Sequence, residues 1–167
     1  QKAVMFSGSV LSNITFGKNR HGKPSKERVK AAIRVSQAEE FVSKLDDKEK
    51  AHIAQGGTNV SGGQKQRLSI ARTIARDPEI YIFDDSFSAL DYKTDSTLRS
   101  ELKKYTKDAT VMIVAQRIGT ILNADKIVVL DNGKCVGIGT HKELMKKCKV
   151  YKEIALSQVS KEELENV

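Results

Sequence analysis

Hydrophobic residues recur every three or four positions in two stretches of the first half of the chain. The first stretch covers residues 25–45, and the second runs from about residue 61 to residue 76. This spacing places the apolar side chains on one face of an α-helix. Asp77 and Pro78 end the second helix, because proline cannot continue a helix and restricts the residue before it. The pattern predicts two helical segments, preceded by turn-forming residues without periodicity at 1–24.

The period of the hydrophobic pattern changes after Pro78. Residues 80–83 form a short continuous apolar run, which is typical of a strand buried on both faces of a parallel sheet. Three further elements are expected in the remainder of the chain: a polar helix, a second buried strand and a β-hairpin, at 92–105, 110–115 and 127–138. Thr140 and Glu143 have the spacing of a capping box that opens another helix. Strands alternating with helices, behind a helical segment, indicate an α/β architecture.

Composition and charge narrow the classes of function. The chain has 167 residues with a net charge of +8, and its length suits one domain with one core. No apolar run approaches the ~18 residues of a membrane-spanning helix. Cys135 and Cys148 lack metal-type spacing, so we expect two reduced thiols. The basic residues are spread along the chain, which favours a solvated surface over a nucleic-acid partner.

The start of the second helix carries the first candidate site. Ser61 and Gln64 have the spacing of a capping box, with Gly62 and Gly63 between them. Glycine weakens a helix by ~1 kcal/mol relative to alanine, so capping alone does not explain two of them. Open backbone N–H groups at the positive end of a helix dipole attract anions. We therefore expect a phosphate group to approach the backbone here.

The second candidate site lies at the ends of the two predicted strands. Asp84 and Asp85 follow the apolar run at 80–83, and Gln116 follows the strand at 110–115. Ligands bind at the carboxyl ends of strands in open α/β sheets, where a carboxylate can hold Mg²⁺ beside nucleotide phosphates. A lone aspartate would suit a turn or a helix cap equally well. Two adjacent acids after an apolar strand favour a metal–phosphate site.

These motifs, in this order, resemble the ATP-binding cassette of ABC transporters of the exporter type. The resemblance covers essentially the whole chain, and its most specific part is residues 61–91. It implies part of a P-loop NTPase fold of the ABC type. The Q-loop and helical signature subdomain would occupy about 1–76, and a parallel-sheet core with a C-terminal hairpin and helices about 77–167. It also implies ATP and Mg²⁺ as cofactors.

The resemblance gives each candidate residue a role. Residues 61–64 resemble the signature motif, residues 88–91 the D-loop, and Asp84 the Walker B aspartate. Asp85 stands where the family has its catalytic glutamate, and Gln116 where it has the switch histidine. The implied site comprises catalytic Asp85 and Gln116, nucleotide-binding Gln1, Ser61, Gly62, Gly63, Gln64 and Asp91, and the metal-binding residues Asp84 and Gln1.

Three departures from the family pattern affect the nucleotide site of the chain itself. The phosphate loop G-x-x-x-x-G-K-[ST] is missing: residues 17–24 imitate its spacing, but Pro24 replaces the hydroxyl that would bind Mg²⁺. We expect a basic surface loop there, and the true phosphate loop before Gln1. The Asp85 side chain is one methylene shorter than glutamate, a displacement of ~1 Å that can cost on the order of 10²-fold in rate. The Gln116 amide can bind a γ-phosphate but cannot carry the charge of an imidazolium.

The pairing of a weakened site with an unbroken signature suggests the degenerate-site subunit of a heterodimeric exporter. The expected partners are a second nucleotide-binding domain and the coupling helices of a transmembrane domain, at the cytoplasmic face of the cell membrane. Two alternatives remain: a soluble ABC-family ATPase, and a non-catalytic nucleotide-binding module when the chain is isolated. A DNA-repair ATPase would need a long coiled coil before the signature, and the sequence has no sustained heptads there. We also expect an exposed apolar sheet edge or self-association.

Overall fold

The structure is a computed structural model that describes residues 3–17 and 22–158. Gln1 and residues 18–21 of the predicted basic loop lie outside the described residues. The chain divides into two compact units, Gln1–Met112 and Ile113–Val167. The regular elements, in chain order, are β1 (Gly8–Ser9), α1 (Val10–Ile14), α2 (Lys26–Val35), α3 (Glu39–Ser43), β2 (His52–Ile53), α4 (Gly62–Ala75), β3 (Ile80–Asp84), α5 (Tyr92–Tyr105), β4 (Thr110–Val114), α6 (Ile118–Ile121), β5 (Ile127–Asp131), β6 (Lys134–Gly139), α7 (His141–Lys147) and α8 (Lys149–Gln158).

The core of the N-terminal unit forms around α4. This helix packs against α1 and α2, and α2 also contacts α5. Leu68, Ala71 and Ile74 of α4 are completely buried, together with Val10 and Ile14 of α1. The predicted helices at 61–76 and 92–105 are confirmed as α4 and α5.

The predicted helical stretch at 25–45 is interrupted after α2. Gln37 adopts a left-handed backbone with φ 57°, and α3 resumes at Glu39. The carbonyl of Gln37 accepts a hydrogen bond from Nη1 of Arg67 at 2.9 Å, which ties this break to α4. Because the partner is thirty residues away, the local hydrophobic period gives no sign of the break. The sequence also misses β1 and α1, which form within residues expected to be turns.

Within the part of the chain that is described, the strands form three two-stranded sheets. The prediction that residues 80–83 are buried on both faces is wrong: Tyr81 and Phe83 are buried, but Ile80 and Ile82 of β3 are 60% and 62% exposed. Met112 of the neighbouring strand β4 is 55% exposed. A continuous apolar run cannot tell which face of a strand another layer covers, because successive side chains alternate between the faces. The exposed apolar side chains thus lie on a face of this sheet, whereas the sequence predicted an exposed apolar edge.

The C-terminal unit is built on the antiparallel hairpin of β5 and β6. Its predicted strands are confirmed, with Asn132 and Gly133 at positive φ in the turn and an irregularity between Val129 and Leu130. The hairpin packs on α7 and α8 around a hydrophobic core, which consists of Ile118, Ile127, Val129, Leu144, Cys148, Tyr151 and Ala155. The capping box of Thr140 and Glu143 is also confirmed. None of the helices in the described residues is long and apolar enough to cross a membrane.

Candidate functional site

The N-terminus of α4 has the geometry that the sequence predicts. Oγ of Ser61 accepts a hydrogen bond from the backbone N–H of Gln64 at 3.2 Å, and Oε1 of Gln64 accepts one from the N–H of Ser61 at 2.9 Å. The cap therefore uses the third N–H of the helix. The N–H groups of Gly62 and Gly63 have no carbonyl partner within a helix at these positions. Ser61 and Gly62 are exposed, so a phosphate can reach this end of the helix.

The two glycines of this motif differ in their surroundings. A Cβ atom on Gly62 would meet nothing within 4 Å, whereas one on Gly63 would lie 3.1 Å from the carbonyl oxygen of Ala89. Packing within the chain already disfavours a side chain at Gly63. The expectation of close phosphate approach therefore depends on Gly62, whose missing side chain no neighbour explains.

A buried side chain on α4, Gln66, connects the signature motif to the D-loop segment. Its Oε1 accepts the N–H of Ala89 at 3.1 Å, and its Nε2 donates to Oγ of Ser88 at 3.4 Å. Sequence reasoning missed Gln66. The available sign was a polar residue four positions before Ile70 and eight before Ile74, on the apolar face of the helix.

Asp84 and Asp85 lie where β3 ends, as predicted, and both side chains are half-buried. Asp85 has a left-handed backbone with φ 47°, which turns the chain out of the strand. Oγ of Ser88 donates to the carbonyl of Asp85 at 3.1 Å. Phe87 is buried against Phe83, with ring centroids 5.4 Å apart, and anchors this turn on the strand. Two carboxylates thus leave the strand end in a fixed turn.

The residues present suit Mg²⁺ held mainly by a nucleotide. No group of three His, Cys, Asp or Glu residues among the described ones could hold a metal ion on its own. Mg²⁺ commonly takes only one or two carboxylates and completes its octahedron with waters and substrate phosphates. The Asp84 carboxylate at a strand end fits that donor set.

Asp91 caps α5 in addition to its predicted place in the D-loop. Its Oδ1 accepts the N–H of Thr94 at 2.9 Å. Hydrogen bonds from the backbone and side chain of Thr94 lower the pKa of the Asp91 carboxyl. The carboxylate is exposed and stays charged at neutral pH, so it can accept a further hydrogen bond from outside the chain.

Gln116 lies in the C-terminal unit, just before α6, and is exposed. Its carbonyl accepts a hydrogen bond from Nε2 of Gln158 at 2.8 Å, and Oε1 of Gln158 accepts the N–H of Ile118 at 2.8 Å. One side-chain amide from the end of α8 therefore holds the backbone on both sides of Arg117. The sequence gives no sign of this contact, because the partners are about forty positions apart.

Arg72 of α4 fixes the segment that follows Gln1. Its guanidinium donates to the carbonyl of Asn13 at 2.8 Å, to the carbonyl of Val4 at 3.0 Å and to Oδ1 of Asn13 at 3.1 Å. It also lies over the rings of Phe6 and Phe16, which stack at 4.1 Å. Burial lowers the pKa of Arg72, but a guanidinium remains charged. Residues 4–16 are thereby held on α4.

Comparison with known proteins agrees with this arrangement. The sequence profile described as ABC transporter matches residues 2–88. An uncharacterised ABC transporter ATP-binding protein of Mycobacterium tuberculosis is 44% identical over 95% of this chain and 27% of its own length. The ATP-dependent lipid A-core flippase of Francisella tularensis is 39% identical over 90% of this chain and 24% of its own. The chain thus spans about a quarter of the length of these relatives.

A solved structure supports the same assignment at the level of the fold. A bacterial Atm1-family ABC exporter with ATP bound superposes with a TM-score of 0.87 and 31% identity, over 94% of this chain and 27% of that one. The chain belongs to the ABC transporter family, as part of an ATP-binding domain whose relatives are exporters.

Proposed function

We propose that this chain works within the ATP-binding subunit of an exporter, where ATP-driven pairing of two nucleotide-binding domains is coupled to transport. The observation that carries the proposal is the start of α4, where Ser61 caps an exposed turn and Gly62 leaves the backbone open. The domain would lie at the cytoplasmic face of the cell membrane. Its other partner would be the coupling helices of the transmembrane domain, and the rigid attachment of residues 4–16 to Arg72 suits such a contact.

The nucleotide site of this subunit would be degenerate. Asp84, with Gln1, would hold Mg²⁺, which shields the phosphate charges of ATP. Asp85 would be a poor general base, because its carboxylate is shorter than that of glutamate, and Gln116 would bind the γ-phosphate only as a neutral amide. The left-handed backbone of Asp85 supports this interpretation, since aspartate enters that region far more readily than longer residues.

The signature and D-loop would act on the site of the partner domain. There Ser61, Gly62, Gly63 and Gln64 would offer backbone N–H groups and the positive end of the helix dipole to phosphate oxygens. Asp91, charged and exposed next to α5, would accept a hydrogen bond across the interface. The chain would thus serve a competent site while hydrolysing little at its own.

The test compares two substitutions in the complete subunit, assembled with its partner. We expect Ser61→Ala to lower ATP turnover roughly 10-fold or more, because it removes the cap at the competent site. Asp85→Glu is expected to raise turnover by restoring the reach of the base. Asp108→Glu, the same change at an exposed position, is the matched control. Unchanged hydrolysis in both Ser61→Ala and Asp85→Glu would refute the proposal.

A second candidate function applies to the 167-residue chain alone: a non-catalytic nucleotide-binding module. The observation that favours it is that the sequence contains no phosphate loop of the form G-x-x-x-x-G-K-[ST]. We predict no measurable ATP hydrolysis by the isolated chain and only weak ATP affinity in titration calorimetry. Binding as tight as that of a complete cassette would contradict this prediction.

A further inference from the structure

We propose that Gln66 is a positioning residue that links the signature motif to Asp85 within one chain. The inference rests on the proposed function, which assigns these two parts to different nucleotide sites. It goes further by naming a physical connection between them. No part of the connection requires a ligand, so it can be tested on the protein alone.

The connection is a short chain of hydrogen bonds. Nε2 of Gln66 donates to Oγ of Ser88 at 3.4 Å, and this hydroxyl donates to the carbonyl of Asp85 at 3.1 Å. The N–H of Ala89 donates to Oε1 of Gln66 at 3.1 Å. Gln66 itself is only 8% exposed, whereas Ser88 and Ala89 are exposed. The side-chain amide of Gln66 therefore helps to fix the position of residues 85–89 relative to α4.

The Ala89 peptide is held from its other side as well. Its carbonyl oxygen approaches Gly63 so closely that a Cβ there would lie at 3.1 Å. The N–H and the carbonyl of Ala89 thus both contact residues in the first two turns of α4. A shift of a few tenths of an ångström at Gly63 would displace the Ala89 carbonyl, because the two groups are closely packed and no free space separates them.

A glutamine is required here by the chemistry of the contact. Gln66, Ile70 and Ile74 are spaced four residues apart and are all buried, so an apolar side chain would suit the helix equally well. An apolar residue would remove the acceptor of the Ala89 N–H, and the loss of this part-buried hydrogen bond is unfavourable. The amide is the side chain that both accepts from Ala89 and donates to Ser88.

The consequence is mechanical coupling between two sites. When a nucleotide of the partner site contacts residues 61–64, any displacement of α4 is passed through Gln66 to Ser88 and to the backbone of Asp85. The helix is the rigid element of this transfer, since Leu68, Ala71 and Ile74 hold it in the core. Occupation of the competent site would thereby adjust the carboxylate of the degenerate one.

The first test measures amide hydrogen exchange in the 167-residue chain. We expect Gln66→Leu to speed exchange of the Ala89 amide roughly 3- to 10-fold, which corresponds to the loss of one hydrogen bond. Gln66→Glu keeps an acceptor and should retain most of the protection. Thr73→Ala, on the same helix, should leave Ala89 unchanged, because the Thr73 hydroxyl donates to the carbonyl of Ser69 within the helix at 3.2 Å.

A pair of glycine variants keeps this test decisive if Gln66→Leu does not fold. Gly63→Ala introduces a methyl group against the Ala89 carbonyl and should also speed exchange at Ala89. Gly62→Ala enters open space and should not. Equal protection of Ala89 in the two alanine variants, or in Gln66→Leu and the parent chain, would overturn the inference.

The second test measures ATP turnover in the assembled exporter. Gln66→Leu should lower kcat on the order of 10-fold with little change in KM, because it shifts residues 88–91, which the proposed function places at the competent site of the partner, and leaves the start of α4 in place. Since Gln66 and Ser88 share one hydrogen bond, the effects of Gln66→Leu and Ser88→Ala on kcat should be non-additive. The kcat of the double variant should lie within about 2-fold of that of the less active single variant. Additive effects would refute the link, whereas unchanged ATP turnover in both Ser61→Ala and Asp85→Glu would refute the proposed function itself.

Discussion

Asp85 combines a chemical departure from the family with an unusual backbone. Its φ of 47° lies in the left-handed region, which non-glycine residues enter at a cost and where aspartate and asparagine are enriched. The short carboxylate, which makes the residue a weak base in the proposed function, is also a side chain that this turn tolerates well. Residue identity and backbone shape are therefore consistent with one another at this position.

We predict that Asp85→Glu lowers the free energy of unfolding of the chain by up to ~1 kcal/mol, because glutamate is less suited to the left-handed backbone. Asp85→Asn should be close to neutral, since asparagine tolerates the same conformation. Urea denaturation of the three proteins checks the prediction. A glutamate variant as stable as the asparagine variant would show that the turn does not select the short side chain.

His141 is a buried histidine whose pKa is lowered, first by burial and then by Lys142. Its Nδ1 lies 2.8 Å from the hydroxyl of Tyr151. As the pH falls, the His141 imidazole is therefore protonated in the unfolded chain near the ordinary pKa of 6.5, whereas in the folded unit it is still neutral at that pH. Stability is expected to decrease as the pH falls below that value.

We predict that His141→Gln reduces this loss of stability between about pH 8 and about pH 5, because the variant has no imidazole to protonate. His52→Gln, at an exposed histidine, should retain the loss. Urea titrations at several pH values measure it. If the His141 variant loses as much stability as the parent chain, the buried imidazole is not its source.

At the scale of elements, the starts of helices could be predicted and their interruptions could not. Ser61, Asp91 and Thr140 cap helices through contacts three residues away, so their motifs are visible in the sequence. The break at Gln37 depends on Arg67, which is remote in sequence. For the same reason the sequence identified Asp84 and Ser61 as candidates but missed Gln66 and Gln158, whose importance comes only from tertiary hydrogen bonds.

The attachment of the N-terminal segment to α4 depends on Arg72. We predict that Arg72→Met lowers the free energy of unfolding by about 2–3 kcal/mol, because two acceptors of the buried Asn13 and the carbonyl of the exposed Val4 lose a charged donor. Arg72→Lys should recover little, since an ammonium group cannot reproduce the planar fork. The exposed position Arg34→Lys is the control. Equilibrium denaturation and the rate of proteolysis within residues 4–16 measure the effect, and a stable Arg72→Lys would contradict it.

At the scale of the molecule, the β3–β4 sheet leaves an apolar face exposed. Ile80, Ile82 and Met112 are each more than half exposed, on the face opposite to buried Tyr81 and Phe83. Neighbouring exposed apolar side chains favour association between copies. The net charge of +8 opposes that association only partly, because salt screens it.

We predict that the isolated chain self-associates through this face and that Ile82→Thr shifts it towards monomer. Threonine keeps the β-branched shape that suits a strand, so the free energy of unfolding should change little. Leu130→Thr, at another exposed strand position, is the matched control. Sedimentation velocity at increasing concentration distinguishes the variants. A parent chain that stays monomeric, or equal effects at the two positions, would contradict this assignment.

The hydrogen bonds of the Gln158 side chain to the backbone of Gln116 and Ile118 have a consequence for biosynthesis. The two residues are separated by 42 positions, and the contact joins the beginning of the C-terminal unit to the end of its last described helix. A ribosome releases the chain from the N-terminus onwards, so residues 116–118 emerge long before their partner. Their final geometry is therefore acquired late, after the intervening hairpin and helix have been synthesised. A nascent chain stalled before residue 158 would lack the Gln158 hydrogen bonds to residues 116–118.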